Sequence, residues 1–320
     1  MVSNTEKIHT TSDLEQCSRL WLRLTKIQGS TGVTDSFDFR VFYSSLFNSK
    51  PFFIYDNLKN PSFIIPLCWN GHVYNWFGTS ELNFPPILID FYSPDTFLSV
   101  LKNFNINPIL LNVENKLTCN LQQDLLIDKY EKTGTRVVVA LGDDIKGHAH
   151  WSERNLYRSK KAFDELCVEW ELFEKPSKNQ VSAVLEDSIA MFAKKEKKSK
   201  FTIDQKLRKY IRLFTSDIPG VISIVGDLIV EKDSAVKFLA HIYKNWATVS
   251  VIAINVNHKH GKSLMQYGFR YTVSTLPEIL HDHFGTEFVD YQGGDHSWKQ
   301  EVSEACQVDQ FRIKLKDGNF

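Results

Sequence analysis

The sequence predicts an α/β (α+β) protein with two mixed-sheet domains in tandem, and three observations carry that reading. The chain has 320 residues, more than one small hydrophobic core usually serves. Its first half alternates helix-period stretches with short β-type runs. Its second half opens with helical stretches and continues into three β-type runs joined by short turns, as an antiparallel meander requires. The boundary falls near His150, giving domains 1–150 and 151–320.

The elements follow in order. Ser12, Asp13, Leu14 and Glu15 form a capping box before a helix with Leu14, Cys17, Leu20, Trp21 and Leu24 inward. A second helix is expected over 38–47, then strands over 51–55, 62–69 and 72–77. Asn70 and Gly71 form the turn between the last two. Ser93 and Pro94 open a helix with Phe97, Val100, Leu101 and Phe104 inward, and strands over 109–113 and 135–141 complete the half. The second half begins with a helix over 152–166 and a strand over 167–173. Ser177 and Gln180 then cap a helix that turns Val181, Val184, Leu185, Ile189 and Phe192 inward. Asp204 is expected to cap the next, with Leu207, Tyr210, Ile211 and Phe214 inward. The meander covers 220–230, 235–243 and 248–256. Thr275, Leu276 and Pro277 are expected to break the following helical stretch in two, ahead of strands over 288–291 and 310–315.

Composition narrows the class. Lys+Arg and Asp+Glu both total 38, so global charge points to neither nucleic acid nor membrane. Aromatics make up 13 %, with 23 Phe, enough to fill two cores. Cys17, Cys68, Cys119, Cys167 and Cys306 are scattered without a C-x-x-C pair, the pattern of reduced, buried thiols rather than disulfides or zinc. Residues 1–30 read as a polar start running into an amphipathic helix, not a signal peptide. No stretch approaches the roughly 18 apolar residues of a membrane span. The expectation is a cytoplasmic protein with no membrane insertion.

The most informative segment runs from Asp290 to Lys299 (DYQGGDHSWK). Gly293 and Gly294 directly after a short strand permit positive φ and close backbone approach. Asp295 is placed to cap a helix opened by Ser297, Trp298 and Lys299. The segment is either a corner that presents a cation beside exposed amides, or a tight turn with a capping acid and a solvated lysine. Two other segments accompany it: 153–163 (ERNLYRSKKAF) and 63–67 (FIIPL). In this order the three resemble the FemAB-like tandem GNAT-fold proteins, which include the Fem peptidyltransferases and many acyl-CoA N-acyltransferases. The matching features are an Asp-x-x-Gly-Gly turn followed by a helix with Lys, an Arg-Asn-x-x-Arg-x-x-Lys-Lys helix at the junction of the halves, and a Pro-Leu strand in the first half.

That resemblance implies an N-acyltransferase without a tightly bound cofactor. An acyl group would pass from acyl-CoA or an acyl carrier protein, as co-substrate, to an amine of a small molecule such as an amino sugar or nucleotide-sugar. It implies Lys299 as electrostatic stabiliser of the acyl carbonyl, with Asp290 or Asp295 accepting a proton or shaping the turn, and Gly293 and Gly294 beside the substrate. Lys259, His260, Gly261, Lys262 and Ser263 would then form the loop and helix start that cradle donor phosphates. Of the familiar acetyl-CoA loop pattern only Gly261 remains, so a carrier protein or an aminoacyl-tRNA stays open as donor, and so does a solvated basic loop. A β-branched residue at 261 is expected to weaken donor binding more than folding. Arg154 and Arg158 share a helix face with Asn155 nearby, suited to acceptor phosphates or to a plain solvated surface. The alternatives are tRNA-dependent aminoacyl transfer to a cell-wall precursor, favoured by the cationic stretch 194–212, and a non-catalytic binding protein of the same fold. His148 and His150 lack a neighbouring Cys or acid at ligand spacing, so no metal is expected. His241 is a weaker base candidate, more simply a core histidine.

Overall fold

The computed structural model describes residues 8–28, 32–72, 74–78, 111–114, 127–141, 153–164, 166–192, 200–292 and 307–315. Contacts divide the chain into two units, Met1–Thr133 with Gln310–Phe320, and Gly134–Asp309. The expected 93–104 helix, and His148 and His150, lie outside the described residues.

In the first unit β1 (His9–Thr11) leads into α1 (Leu14–Gln28), and α2 (Phe37–Ser45) precedes β2 (Lys50–Tyr55), β3 (Ile64–Trp69) and β4 (Tyr74–Trp76). The sheet is antiparallel in the order β1-β2-β3-β4. The cap of α1 is Asp13, not Ser12. Its Oδ1 accepts from Gln16 N at 2.9 Å, while Thr11 Oγ1 accepts from Asp13 N at 3.1 Å. Cys17, Leu20, Trp21 and Leu24 are buried as expected, but Leu14 is 53 % exposed. As the first helical residue, its side chain points back past the helix end rather than down onto the sheet. Ser36 caps α2 through Phe39 N at 3.2 Å. Arg40 is buried at the centre of this unit, donating to Phe77 O at 2.8 Å and lying 4.9 Å from the Trp21 ring. Burial pushes the thiols of Cys17 and Cys68 up to about 12 and about 11, which makes them poor nucleophiles. Cys167, expected to be buried, is exposed just ahead of its strand.

Later come β5 (Leu111–Glu114) and the long β6 (Ile127–Ala140), within which the chain passes from one unit to the other. The second unit continues with α3 (Glu153–Asp164), β7 (Val168–Glu174), α4 (Lys178–Phe192) and α5 (Lys200–Thr215). The meander β8 (Val221–Val230), β9 (Asp233–Tyr243) and β10 (Trp246–Ile254) follows. A helical stretch starts at Gly261–Ser263, passes through a π-turn at Leu264–Gly268 and continues as α6 (Phe269–Phe284). Then comes β11 (Phe288–Asp290); β12 (Gln307–Leu315) pairs antiparallel with β5. Strand order within the second unit is β6-β11-β10-β9-β8-β7, antiparallel except for the β10/β11 pair.

Ser177 and Gln180 form the expected capping box of α4, with Gln180 N donating to Ser177 Oγ at 3.3 Å. Ile189 of that helix is 37 % exposed rather than inward. Asp204 lies inside α5, which is already helical from Lys200. An interior Asp costs a helix only about 0.5 kcal/mol, too little to set its start. Pro277 lies inside α6 and does not break it. A proline removes the hydrogen bond to the carbonyl four residues back, here that of Val273. The buried Tyr291 hydroxyl donates to Val273 O at 2.9 Å and replaces the missing bond.

Strand alternation gives the second sheet two distinct faces. Ile224, Ala240, Ile242, Ala247, Val249, Val289 and Val139 pack with Val273, Leu276 and Leu280 of α6. On the opposite face the register aligns Ser223, His241, Thr248 and Asp290 as neighbours across four strands. All four are buried. Phe214 of α5 stacks on His241 with ring centroids 4.0 Å apart.

Candidate functional site

Of the expected catalytic residues, Asp290 is described; Gly293, Gly294, Asp295 and Lys299 lie outside the described residues. Asp290 sits at the end of β11, wholly buried, in an ion pair with Arg136 of β6. Arg136 Nε and Nη2 donate to Asp290 Oδ1 and Oδ2 at 3.0 and 2.9 Å, the bidentate geometry of the strongest carboxylate pairs. Asp290 Oδ1 also accepts from Gln292 N at 2.7 Å. Gln292 has φ 53, so the chain enters the left-handed region as it leaves the strand. Asp290 therefore fixes the start of the glycine segment.

The described ladder between the neighbouring strands ends at this point. β10 and β11 run parallel, with Trp246, Ala247 and Thr248 opposite Phe288, Val289 and Asp290. Among the described residues, β10 then continues through Ile254 with no ladder to β11. Its register with β9 slips between Val249 and Val251, leaving Ser250 as the extra residue of a bulge. A bulge bends a strand and redirects its backbone groups. Gln292 Nε2 donates to Ser250 Oγ at 3.2 Å, linking the chain that follows β11 to the bulge of β10. Arg136, Ser250 and Gln292 were not singled out from sequence. The one available signal was a charge in the otherwise apolar run 136–141, and nothing in sequence locates its partner, 154 positions away.

The loop after β10 holds the expected donor-loop residues. Gly261 opens the helical stretch, donating its N–H to His258 O at 2.7 Å. A Cβ at 261 would lie 2.9 Å from the Val256 carbonyl oxygen. Any side chain at 261 therefore carries a packing cost of its own, beside the effect on donor binding expected from sequence. His258 is buried, with Nδ1 accepting from His260 N at 3.1 Å and Nε2 facing Val230 O at 3.3 Å, so the Nε2–H tautomer satisfies both contacts. Lys259 is not an isolated cation. Its Nζ lies 2.6 Å from Glu231 Oε2, which His260 Nε2 also approaches at 3.1 Å. Lys259 and then His260 hold the Glu231 carboxyl below its ordinary range, and Glu231 holds Lys259 above its own. Glu231 and Lys232 form the two-residue turn between β8 and β9, at φ 49 and 75. Positive φ at two bulky residues costs roughly 1 kcal/mol or more each. The side chain of His260 does not cap the helix start, and the first N–H groups of a helix have no intrahelical acceptor.

Arg154, Asn155 and Arg158 all lie on α3, where Arg158 is exposed. His241 is 1 % exposed, and burial drives its imidazole down to about 3, partly offset by a hydrogen bond with the Leu213 backbone. It is neutral near pH 7 and too weak a base for proton abstraction there. Among the described residues no group of three His, Cys, Asp or Glu could hold a metal. No described helix is long and apolar enough to cross a membrane. Among the described residues, β10 runs on past its ladder with β11, carries a bulge at Ser250, and is followed by the helix start at Gly261.

No family model matches the chain, and no curated protein matches it either. Solved structures do. FemX is similar at a TM-score of 0.53 and 10 % identity, covering 95 % of this chain and 96 % of that one. A conserved protein of unknown function from Bacteroides thetaiotaomicron is similar at 0.51 and 11 % identity, covering 96 % and 100 %. A tandem GNAT protein from the clavulanic acid biosynthesis pathway aligns at 0.47 and 9 % identity, covering 97 % and 98 %. The fold is the mixed α/β architecture that the resemblance to the FemAB-like tandem GNAT proteins implied.

Proposed function

We propose that this chain is a GNAT-type N-acyltransferase whose second unit binds an acyl thioester between β10 and β11. The observation that carries the proposal is the bulge at Ser250, past which β10 runs on beyond its described ladder with β11 toward the Gly261 helix start. An extended pantetheine arm carries amides able to pair with a strand edge. From Val249 to Ile254, at about 3.3 Å per step, the edge spans roughly 17 Å, enough to run from thioester to phosphate. The backbone amides near Lys262 and Ser263 would receive the phosphates. Lys259 contributes only once Glu231 lets it go. The donor is acyl-CoA or an acyl carrier protein. The acceptor is a small-molecule amine, with Arg154, Asn155 and Arg158 available for an acceptor's phosphates.

In the reaction, the amine nitrogen bonds to the carbonyl carbon and the carbon–sulfur bond breaks. The proton lost by the amine balances the departing thiolate. No covalent enzyme intermediate is needed. Positioning and oxyanion stabilisation supply the rate. Lys299 is the proposed cation at the carbonyl, and Gly293, Gly294 and Asp295 shape the segment that carries it. Asp290 holds that segment's start.

The resemblance to the Fem peptidyltransferases suggests a second reading: aminoacyl transfer from tRNA to a cell-wall precursor, with Arg208 and Arg212 on α5 as cations for a phosphate backbone. Calorimetry separates the readings. Saturable binding of acetyl-CoA or a longer acyl-CoA is expected. Salt-dependent binding of aminoacyl-tRNA with no response to acyl-CoA would select the second reading instead. Acyl-CoA binding without thiol release for any amine in a panel would select a non-catalytic binder.

A further inference from the structure

We infer that Gln292 is a catalytic residue whose side-chain amide donates a hydrogen bond to the donor's acyl carbonyl, with Ser250 as its resting partner. The inference rests on the donor reading above. Gln292 stands two residues past the end of β11, and its Nε2 donates to Ser250 Oγ of β10 at 3.2 Å. Ser250 is the bulge residue of β10. A donor arm entering from the Gly261 end and lying along β10 brings its thioester to this bulge, because the ladder closes the way at Thr248 and Asp290.

Several features suit Gln292 to the task. Its backbone is fixed by the 2.7 Å bond from its N–H to Asp290 Oδ1, and Asp290 is itself held by two bonds from Arg136. Its φ of 53 is a conformation that non-glycine residues adopt uncommonly. The side chain is half-buried, so its amide is partly shielded from water. A carboxamide donor stays neutral, and a neutral donor can serve a carbonyl that becomes an oxyanion without changing the site's charge. Ser250 Oγ accepts that donor at rest and, being only half-buried, can turn to water once the amide is taken by the ligand.

The test compares ligands with and without the carbonyl. The parent, Gln292→Ala and Ser250→Ala are titrated calorimetrically with acetyl-CoA and with coenzyme A. The parent is expected to prefer acetyl-CoA by about fivefold, the scale of one net neutral hydrogen bond. Gln292→Ala is expected to erase that preference while its affinity for coenzyme A stays within twofold. Ser250→Ala removes the competing acceptor and is expected to keep or enlarge the preference, which serves as the test should Gln292→Ala fail to fold. A preference that survives Gln292→Ala, or that Ser250→Ala abolishes, overturns the assignment of Gln292 and leaves the donor reading intact. A parent that binds both ligands equally overturns it as well. A parent that binds neither overturns the acyl-CoA reading itself, and this inference with it.

Discussion

Replacing Arg136 with Met strands a carboxylate in the second unit's sheet. The side chains of Arg136 and Asp290 are 3 % and 1 % exposed, so water cannot take over either charge. Removing one partner of such a pair typically costs about 3–5 kcal/mol, most of it the penalty of the uncompensated charge left behind. Whole-domain stabilities are about 5–15 kcal/mol, so the loss is a large share of the total. At about 2–4 °C per kcal/mol for a domain of this size, Arg136→Met should melt roughly 6–20 °C below the parent, and Asp290→Asn should fall in the same range. The double variant removes both charges, while the carboxamide oxygen introduced at position 290 can still accept from Gln292 N. It should lose only about 1–3 kcal/mol for polar groups left without partners, far less than the two single losses added. The assay is thermal melting followed by circular dichroism on all four proteins. Single variants within 2 °C of the parent, or a double variant whose loss equals the sum, would refute the view that this pair holds β6 and β11 together.

Three further outcomes are expected. His241, neutral when folded because burial drives it down to about 3, takes up its proton near 6.5 when unfolded. That contribution to stability is complete above about pH 6.5 and is lost as pH falls toward 3, amounting to roughly 2 kcal/mol by pH 5. Chemical denaturation at pH 7.5 and pH 5 should show this loss in the parent and less of it in His241→Phe; equal losses would contradict it. Tyr291→Phe should cost about 1–3 kcal/mol because the buried Val273 carbonyl loses its donor. Pro277→Ala in that background should recover part of the cost by restoring a backbone N–H, a coupling that a double-mutant thermal series measures. Gly261→Val should lower the melting temperature even without ligand, since its side chain meets the Val256 carbonyl; an unchanged melt would show that the loop yields.

Much of the fold could be read from local pattern, and the failures have local causes. The meander was legible because strand runs and their turns alternate at short range, and the Ser177 capping box because both its residues are close in sequence. Asp13 displaced Ser12 as cap because β1 extends to Thr11, whose hydroxyl takes the Asp13 N–H. The break expected at Pro277 was wrong because the compensating donor, Tyr291, comes from beyond the helix. The site shows the same division. Gly261 and its basic neighbours stand out in sequence, but the acid that pairs with Lys259 lies on a hairpin turn 28 residues earlier by numbering (259 − 231). Arg136, Ser250 and Gln292 are ordinary residues one by one. Only the sheet order brings β6, β10 and β11 side by side, and pairings between distant strands leave no local trace in composition or period.

The most direct test of the account is amide hydrogen exchange on the full chain, with and without saturating acetyl-CoA. A donor lying along β10 with its phosphates at the helix start should slow exchange at Val249–Ile254 and at Gly261–Leu264, with slowing at Gln292 as the bulge is covered. Strands β7 and β8, distant in the sheet order, should exchange as before. Exchange in β10 and at the Gly261 turn that is unchanged at saturation, with protection appearing elsewhere, would contradict a donor site between β10 and β11.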